Sequence, residues 1–571
     1  MRALLGPLNR RDHRAIAEDL DGLDVRLFDR AHADCPFDPA REPLEALWRR
    51  LPADWRPDVL VWWSPEYSLL PDGLERCPVP SIAALGDWNL GLWATAPLLE
   101  AFDWVVTDRL GTRLLGPQLG VPVDRWPLFS FDRALHRPDP GGSRDIDVLF
   151  VGNLNPDVHA ERLPWLARLA RLSDRRRVLI ASGVYGPAYA ALLRRARIVW
   201  NRSIRGELNM RAYEAAASGA LLLMEADNLE VREVFADGVS CALYDDATLE
   251  RQLDAYLDAP ARLAAVAEAG WRRVQAETYR AHLERLLVGA RALRIGPRPF
   301  GALPAWRRAY WLGLHALTTP DGARVEAALG HFRRAAACGA ERAPLAAALG
   351  ATAAIAAEVG CTDPATTLDQ AARLLALAVE AEREDVVSWA NLARVHALRG
   401  AGGEARRAWL TARALLVREA PFPLDRMPLP GGYDGFRAGW ERAALAPDLD
   451  ARAAGFRPLL AARVAAGLAV ADPAGALEWW AESVAACPGV DGNVHGLARA
   501  LAEAGQADAA AAAYARLLER NPFDQEARAA ATTLARARGD EATVARLADE
   551  AACLARALGR EPTAAPAAMR A

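Results

Sequence analysis

Two hydrophobic rhythms divide the chain. In the first half, short apolar runs alternate with amphipathic stretches. ALLG (3–6), VRLF (25–28), VLVWWS (59–64), SIAAL (81–85) and WVVTD (104–108) predict strands, because a strand covered on both faces reads as a continuous apolar run. A second series follows: DVLFVG (147–152), RVLIAS (177–182), ARIVWN (196–201), ALLLM (220–224) and CALY (241–244). Helical spacing fills the gaps, and a long amphipathic stretch over about 247–293 closes the series. Strand runs alternating with helices predict βαβ units and parallel sheets. HRPDPGGSRDI (136–146), rich in Pro, Gly and charge, reads as a linker between the two series. Two open α/β domains, 1–140 and 141–294, are therefore expected to face each other across a cleft. In such sheets a ligand sits outside the carboxyl ends of the strands.

After IGPRPFGALP (295–304) the rhythm changes to an alanine-, leucine- and arginine-rich helical pattern. Trp389, Leu392, Ala393, His396, Gly400, Ala405, Trp409 and Ala412 fall at the large/small spacings of a tetratricopeptide repeat. Leu497, Ala498, Leu501, Gly505, Ala510, Tyr514, Leu517 and Pro522 repeat them. Residues 300–571 thus resemble a tetratricopeptide solenoid of about four to six helix pairs, interrupted at 421–450 by a loop or insertion. The expected fold class is α/β followed by all-α.

Composition narrows the function. The 571 residues are 52% hydrophobic and 25% charged, with a formal net charge of −4. That balance argues against a general nucleic-acid or anionic-membrane binder. No lysine occurs, so all 69 basic residues are arginine. A Walker-type phosphate loop and Schiff-base catalysis are thereby excluded, and phosphate recognition falls to arginine, backbone amides or helix ends. Seven cysteines are scattered singly, with no spacing that suggests a disulfide framework or a zinc site. The N-terminal MRALLGPLNRRDHR lacks the apolar region of a signal peptide. No apolar run reaches the roughly 18 residues needed to span a bilayer. A cytoplasmic protein without a membrane span is expected.

Candidate chemistry concentrates in NRSIRGELNMRAYEAAASGALLL (201–223). The loop at 202–206 ends a strand, and residues from about 208 to 218 have helical spacing. Glu207, Arg211 and Glu214 stand at i, i+4 and i+7 and share one face. A helix N-terminus offers free N–H groups and partial positive charge to an anion, and Arg202, Arg205 and Arg211 surround it. Arginines suit phosphates and carboxylates suit hydroxyls, so the mixture fits a sugar nucleotide. The same face also reads as an ion-pair ladder on a solvated helix, worth about 0.3–0.5 kcal/mol per pair.

The segment GELNMRAYEAAASGALLLMEADNLEVREVFADGVSCALYDD resembles the donor-binding segment of group 1 glycosyltransferases of GT-B architecture, closest to the CgeB-type branch. DVLFVGNLNPDVH (147–159) resembles the opening strand and loop of the same domain. The resemblance implies two Rossmann-like domains and a nucleotide-diphosphate sugar as donor substrate. It implies that Glu214 holds the ribose hydroxyls and that Glu207 contacts the donor sugar. Here six residues, not seven, separate the two glutamates, and Asn209 shares the position. Arg205 and Arg211, then Arg202, take the place of the family's Arg/Lys pair on the diphosphate. Gly152 and Asn153 match the glycine loop after the first strand. Gly219 permits close helix–strand packing or is a plain helix C-cap. Glu233 matches an acidic position in the following helix.

In the first domain, Asp87 and Asn89 of GDWNLGLW (86–93) are acceptor-side or base candidates, or else an Asx turn or cap. Asp87 and Glu207 are taken as the catalytic pair. Glu66 ends another strand and is placed to line the cleft. His136 and His159 lie near the linker and in the loop after VGN. No metal ligand set and no cofactor are expected. The function expected is metal-independent, hexosyl-type transfer, with a protein or peptide partner recruited by the helical repeats. The alternative is a non-catalytic interaction scaffold with a degenerate glycosyltransferase domain.

Overall fold

The computed structural model describes residues 1–8, 15–31, 34–430 and 435–560. Among these residues, seven parallel strands form a first sheet: β1 (Ala3–Gly6), β2 (Val25–Asp29), β3 (Cys35–Pro36), β4 (Val59–Trp63), β5 (Ser81–Ala84), β6 (Trp104–Thr107) and β7 (Val123–Arg125). Their order is β3-β2-β1-β4-β5-β6-β7. Five form a second parallel sheet: β8 (Ile146–Val151), β9 (Val178–Ala181), β10 (Ala196–Trp200), β11 (Leu221–Glu225) and β12 (Ala242–Tyr244), in the order β12-β11-β10-β8-β9. The ten apolar runs are all strands. The runs missed, β3 and β7, are two- and three-residue edge strands, CP and VDR, with no apolar signature.

The continuous runs follow from coverage on both faces. In β4, Leu60 and Trp62 pack into a core with Leu4, Phe28 and Leu47, while Val59, Val61 and Trp63 face Ala3, Leu5, Leu283 and Leu286. The helix Tyr279–Ala290 therefore crosses back onto the first sheet, although it lies in the stretch expected to close the second domain. The segment expected as a boundary, 295–304, is likewise bound to the first lobe. Arg298 pairs with Asp103 at 2.7 Å, donates to the Cys77 and Val79 carbonyls, and is buried.

Among the described residues, six helix pairs follow: Ala305–Ala316 with Gly322–Ala337, Arg342–Glu358 with Pro364–Ala381, Val386–Leu398 with Gly402–Val417, Leu449–Ala471 with Ala476–Ala486, Asp491–Glu503 with Ala507–Arg520, and Gln525–Ala537 with Glu541–Ala557. The segment 421–450 is more than a loop. It contains the helix Gly435–Ala443, whose Trp440 stacks on Phe456 with ring centroids 4.1 Å apart. Residues 431–434 and 561–571 of the expected repeat region lie outside the described residues.

The array touches both lobes. At its start, Tyr310, Leu314 and Ala328 share a core with Trp93 and Ala94 of the first lobe. At its end, Leu554 and Ala557 join the core of Val148, Leu166 and Leu169 in the second. One helix, Leu449–Ala471, is long and apolar enough to cross a membrane by length and composition, with a mean hydropathy of 1.3. The run-length expectation passed over it because Arg452, Arg457 and Arg463 interrupt the run. In the fold its Phe456, Leu460, Val464 and Leu468 pack into the array's core.

Candidate active site

Each sheet has a switch point, where the chain leaves one strand to either side. In the first sheet it lies between β1 and β4, and in the second between β8 and β10. Crevices open at the carboxyl ends of such strand pairs, and the two sheets use theirs differently.

The second-lobe crevice is cationic. Arg211, in the first turn of the helix Met210–Ala217, spans the switch point. Its Nε donates to the Val151 carbonyl at the end of β8 (2.7 Å), and its Nη1 donates to Asn201 Oδ1 after β10 (2.6 Å). Its guanidinium lies 4.6 Å from the Phe150 ring centroid. Arg162, the N-cap residue of the helix Leu163–Arg171, reaches the same ring (5.4 Å) and donates twice to the Arg202 carbonyl, at 3.1 and 2.7 Å. Arg202 in turn lies 4.9 Å from the Trp165 ring centroid. Among the described residues, none of the three guanidiniums has a carboxylate at ion-pair distance. Burial, with Arg211 adding to it, pushes the Arg162 pKa down to about 9. Burial and the neighbouring arginines push His159 down to about 3, so its imidazole is neutral.

Gly152 fits this arrangement closely: a Cβ there would stand 2.4 Å from Arg211 Nη2. Asn153 is exposed and holds the Asn155 N–H at 2.9 Å. Asn209 is the N-cap residue of the helix, but its side chain pairs with Asn201 (3.0 Å) and leaves the helix N–H groups without a side-chain cap. Glu214 lies one turn along, buried, accepting from the Tyr189 hydroxyl at 2.8 Å, with His136 Nε2 at 3.8 Å.

The first-lobe crevice is a cavity of about 870 Å³. Its wall includes Leu8 after β1, Trp63 and Ser64 at the end of β4, and Gly86 and Asp87 after β5, with Met210 contributed by the second lobe. Glu66 Oε1 accepts the Gly86 and Asp87 N–H groups, each at 2.8 Å, and Oε2 has no partner. Burial, reinforced by Asp87, raises the Glu66 pKa to about 7. The Tyr67 hydroxyl donates to Asp87 Oδ2 at 2.7 Å.

These crevices can be set beside known proteins. Residues 142–288 match the model of a family described as glycosyl transferase-like. This part of the chain is similar to glycosyl transferase-like domains. It ends before the helical array begins, and the first lobe's parallel sheet stands across the seam from it. Among solved structures, the chain is similar to TarM, at 11% identity and a TM-score of 0.31, covering 41% of this chain and 55% of that one. It is also similar to a sucrose-phosphate synthase from Thermosynechococcus elongatus, at 14% identity and a TM-score of 0.34, covering 51% of this chain and 98% of that one. The chain thus spans about half the length of TarM. No curated protein matches the sequence.

Three expected donor-side residues stand elsewhere. Arg205 points into the first lobe, where it meets Asp108 (3.1 Å), Asp87 (3.3 Å), the Asn89 side chain and the Gly86 carbonyl (2.7 Å). Its donors are occupied, so it bolts the lobes together and has none left for a phosphate. Glu207 is buried in the same seam, accepting the Arg205 N–H at 2.8 Å, and does not line the large cavity. Gly219, at φ +73°, ends the helix Met210–Ala217 at the opposite end from the crevice, so the C-cap reading holds. Glu233 also belongs to the seam, pairing with Arg109 and with Arg125 (2.8 Å). Sequence reasoning missed Arg162. Its one signal is position: it precedes Leu163-Pro164, a helix start, just after the β8 loop.

Proposed function

We propose that the protein transfers a hexose-type sugar from a nucleoside-diphosphate sugar in the β8/β10 crevice to an acceptor in the β1/β4 cavity. One observation carries the reading: Arg162, Arg202 and Arg211 ring a switch-point crevice without carboxylate partners among the described residues. Arg162 is buried and the other two are half-buried, and such cations left without a carboxylate are costly. A diphosphate would answer them, with the free N–H groups of the helix Met210–Ala217 beside it. Preorganised arginines also stabilise charge as it develops on a leaving diphosphate, so the reading assigns that role to them and not to a metal.

Glu214, held by Tyr189 behind the crevice, is the group for the ribose hydroxyls. Asp87 and Tyr67 face the acceptor. A protein or peptide partner on the helical array enters this reading as a carrier of the acceptor, because a cavity of about 870 Å³ admits a glycan or a side chain, not a folded chain. A scaffold reading draws on a different observation: Arg205 is committed to the seam between the lobes, and Glu207 to the backbone of the loop that carries it.

Thermal-shift screening against UDP, GDP, dTDP and CMP and their sugars tests the proposal. One nucleoside diphosphate should stabilise the wild type and not Arg202→Gln, a half-exposed position whose replacement leaves the core intact. Release of free sugar from the stabilising donor separates an enzyme from a scaffold. No stabilisation by any nucleoside diphosphate would end the donor-binding reading.

A further inference from the structure

The acceptor cavity is not made by the first lobe alone. Asp321, Ala323 and Arg324, at the start of the helix Gly322–Ala337, complete the wall that carries Trp63, Tyr67 and Asp87. Two bonds fix the array to the loop after β4. The buried His315 ring lies 2.9 Å from the Pro65 carbonyl, and Arg324 Nη2 donates to the Tyr67 carbonyl. That loop begins at Ser64 with φ +49°, a left-handed conformation that non-glycine residues hold only where the surroundings over-determine it. The grip of the array is part of those surroundings.

Arg324 has charge to spare. Its Nη1 has no hydrogen-bond partner, and among the described residues no carboxylate lies at ion-pair distance from its guanidinium. Burial holds its pKa below the usual arginine value, with Asp321 offsetting part of the effect. His315 beside it is neutral, pushed down to about 3 by burial and then by Arg324 itself. The wall also carries carboxylates: Asp38 pairs with Arg30 at 3.4 Å and Asp87 with Arg205 and Tyr67, while Asp29, Glu66 and Asp321 accept backbone N–H groups, Glu66 through Oε1 alone. The cavity therefore combines aromatic surface from Trp63, Tyr67, Phe129 and Tyr279 with one uncommitted cation.

Resting on the glycosyl-transfer reading above, we propose that Arg324, supplied by the helical array, reads an anionic group on the acceptor. The acceptor is an acidic saccharide or glycoside bearing a carboxylate or a phosphate. Its ring lies against the aromatic wall, and its neutral hydroxyls face Asp38 and Asp87. A guanidinium with a free arm recognises either anion by charge-assisted hydrogen bonding. The first helix pair is then a specificity element of the active site.

The test is calorimetric titration of the full chain with p-nitrophenyl β-D-glucuronide, p-nitrophenyl β-D-glucoside and glucose 6-phosphate. The wild type should bind the glucuronide or the sugar phosphate at least about ten-fold tighter than the glucoside, and whichever anion wins identifies the group. Arg324→Gln should remove the preference while nucleoside-diphosphate binding is unchanged. Equal affinity of the wild type for charged and neutral probes, or no binding of any probe, overturns the proposal without recourse to the variant. Absence of nucleoside-diphosphate binding by the wild type is the separate failure of the donor reading.

Discussion

Glu66 makes a pH prediction whose sign is opposite to that of most carboxylates. Its side chain is buried against Gly86 and Asp87, and burial raises its pKa from the usual 4.5 to about 7. Between those values the folded chain keeps a proton that the unfolded chain has released. The unfolded state binds fewer protons, so stability falls as pH rises through this window and the loss is complete above about pH 7. The difference between the two pKa values corresponds to about 3 kcal/mol. Glu66→Gln isolates the effect, because the amide oxygen still accepts the Gly86 and Asp87 N–H groups while the ionisation is gone. Urea unfolding, read on the transition that reports the first lobe, should give wild type and variant within about 1 kcal/mol of each other near pH 4.5. The variant should be more stable by about 3 kcal/mol at pH 8. A difference that does not change with pH, or a wild type that gains on the variant as pH rises, would refute the buried-acid reasoning.

Two further substitutions probe the seam and the crevice. Arg205→Met removes a buried cation and leaves Asp108 without its charge partner, although Trp88 and Gly111 still bond it at 2.7 Å. A cost of about 3 kcal/mol is expected in urea unfolding, partly recovered by adding Asp108→Asn, and a cost under about 1 kcal/mol would remove Arg205 from its role as a bolt. Gly152→Ala would place a methyl 2.4 Å from Arg211 Nη2 and 2.8 Å from the Phe150 ring. It should weaken nucleoside-diphosphate binding about ten-fold, or 1.4 kcal/mol, in titration calorimetry, and unchanged affinity would show that Arg211 does not hold the diphosphate.

The legibility of the chain follows from where its constraints are local. β4 and β10 could be read because both faces are covered, which makes the run apolar without interruption. β3 and β7 could not, because an edge strand of two or three residues needs no apolar run. The crevice was half legible. Gly152, Arg202 and Arg211 sit in segments whose strand–loop–helix pattern places them at a carboxyl end. Arg162 reaches the Arg202 carbonyl across 40 residues of sequence, and nothing next to it marks that contact. Arg205 carried the opposite difficulty. Its charge was plain, but its partners Asp87 and Asp108 lie 118 and 97 residues away in the other lobe, and a charge pattern does not say which lobe it faces. Arg324 lay in a region that read as a separate solenoid, so its place in a cavity wall depended on the docking of the array.

The mixed charges of the 201–223 stretch divide between two tasks. Arg205 locks the loop after β10 to the first lobe, Glu207 braces that loop from within by accepting the Arg205 N–H, and Glu230 extends the seam by accepting the Arg109 N–H at 2.9 Å. Arg202 and Arg211, a few residues to either side, turn the other way into the switch-point crevice. A loop pinned so firmly on one side holds the arginines on its other side in fixed positions, which is what recognition of a diphosphate by guanidinium groups requires. The helical array adds a constraint of the same kind. Its first pair is fixed to the first lobe and its last helix to the second, so a motion that separated Arg205 from Asp108 would also have to strain the array or detach one of its ends. The architecture thus sets the geometry of both crevices through contacts that lie outside them.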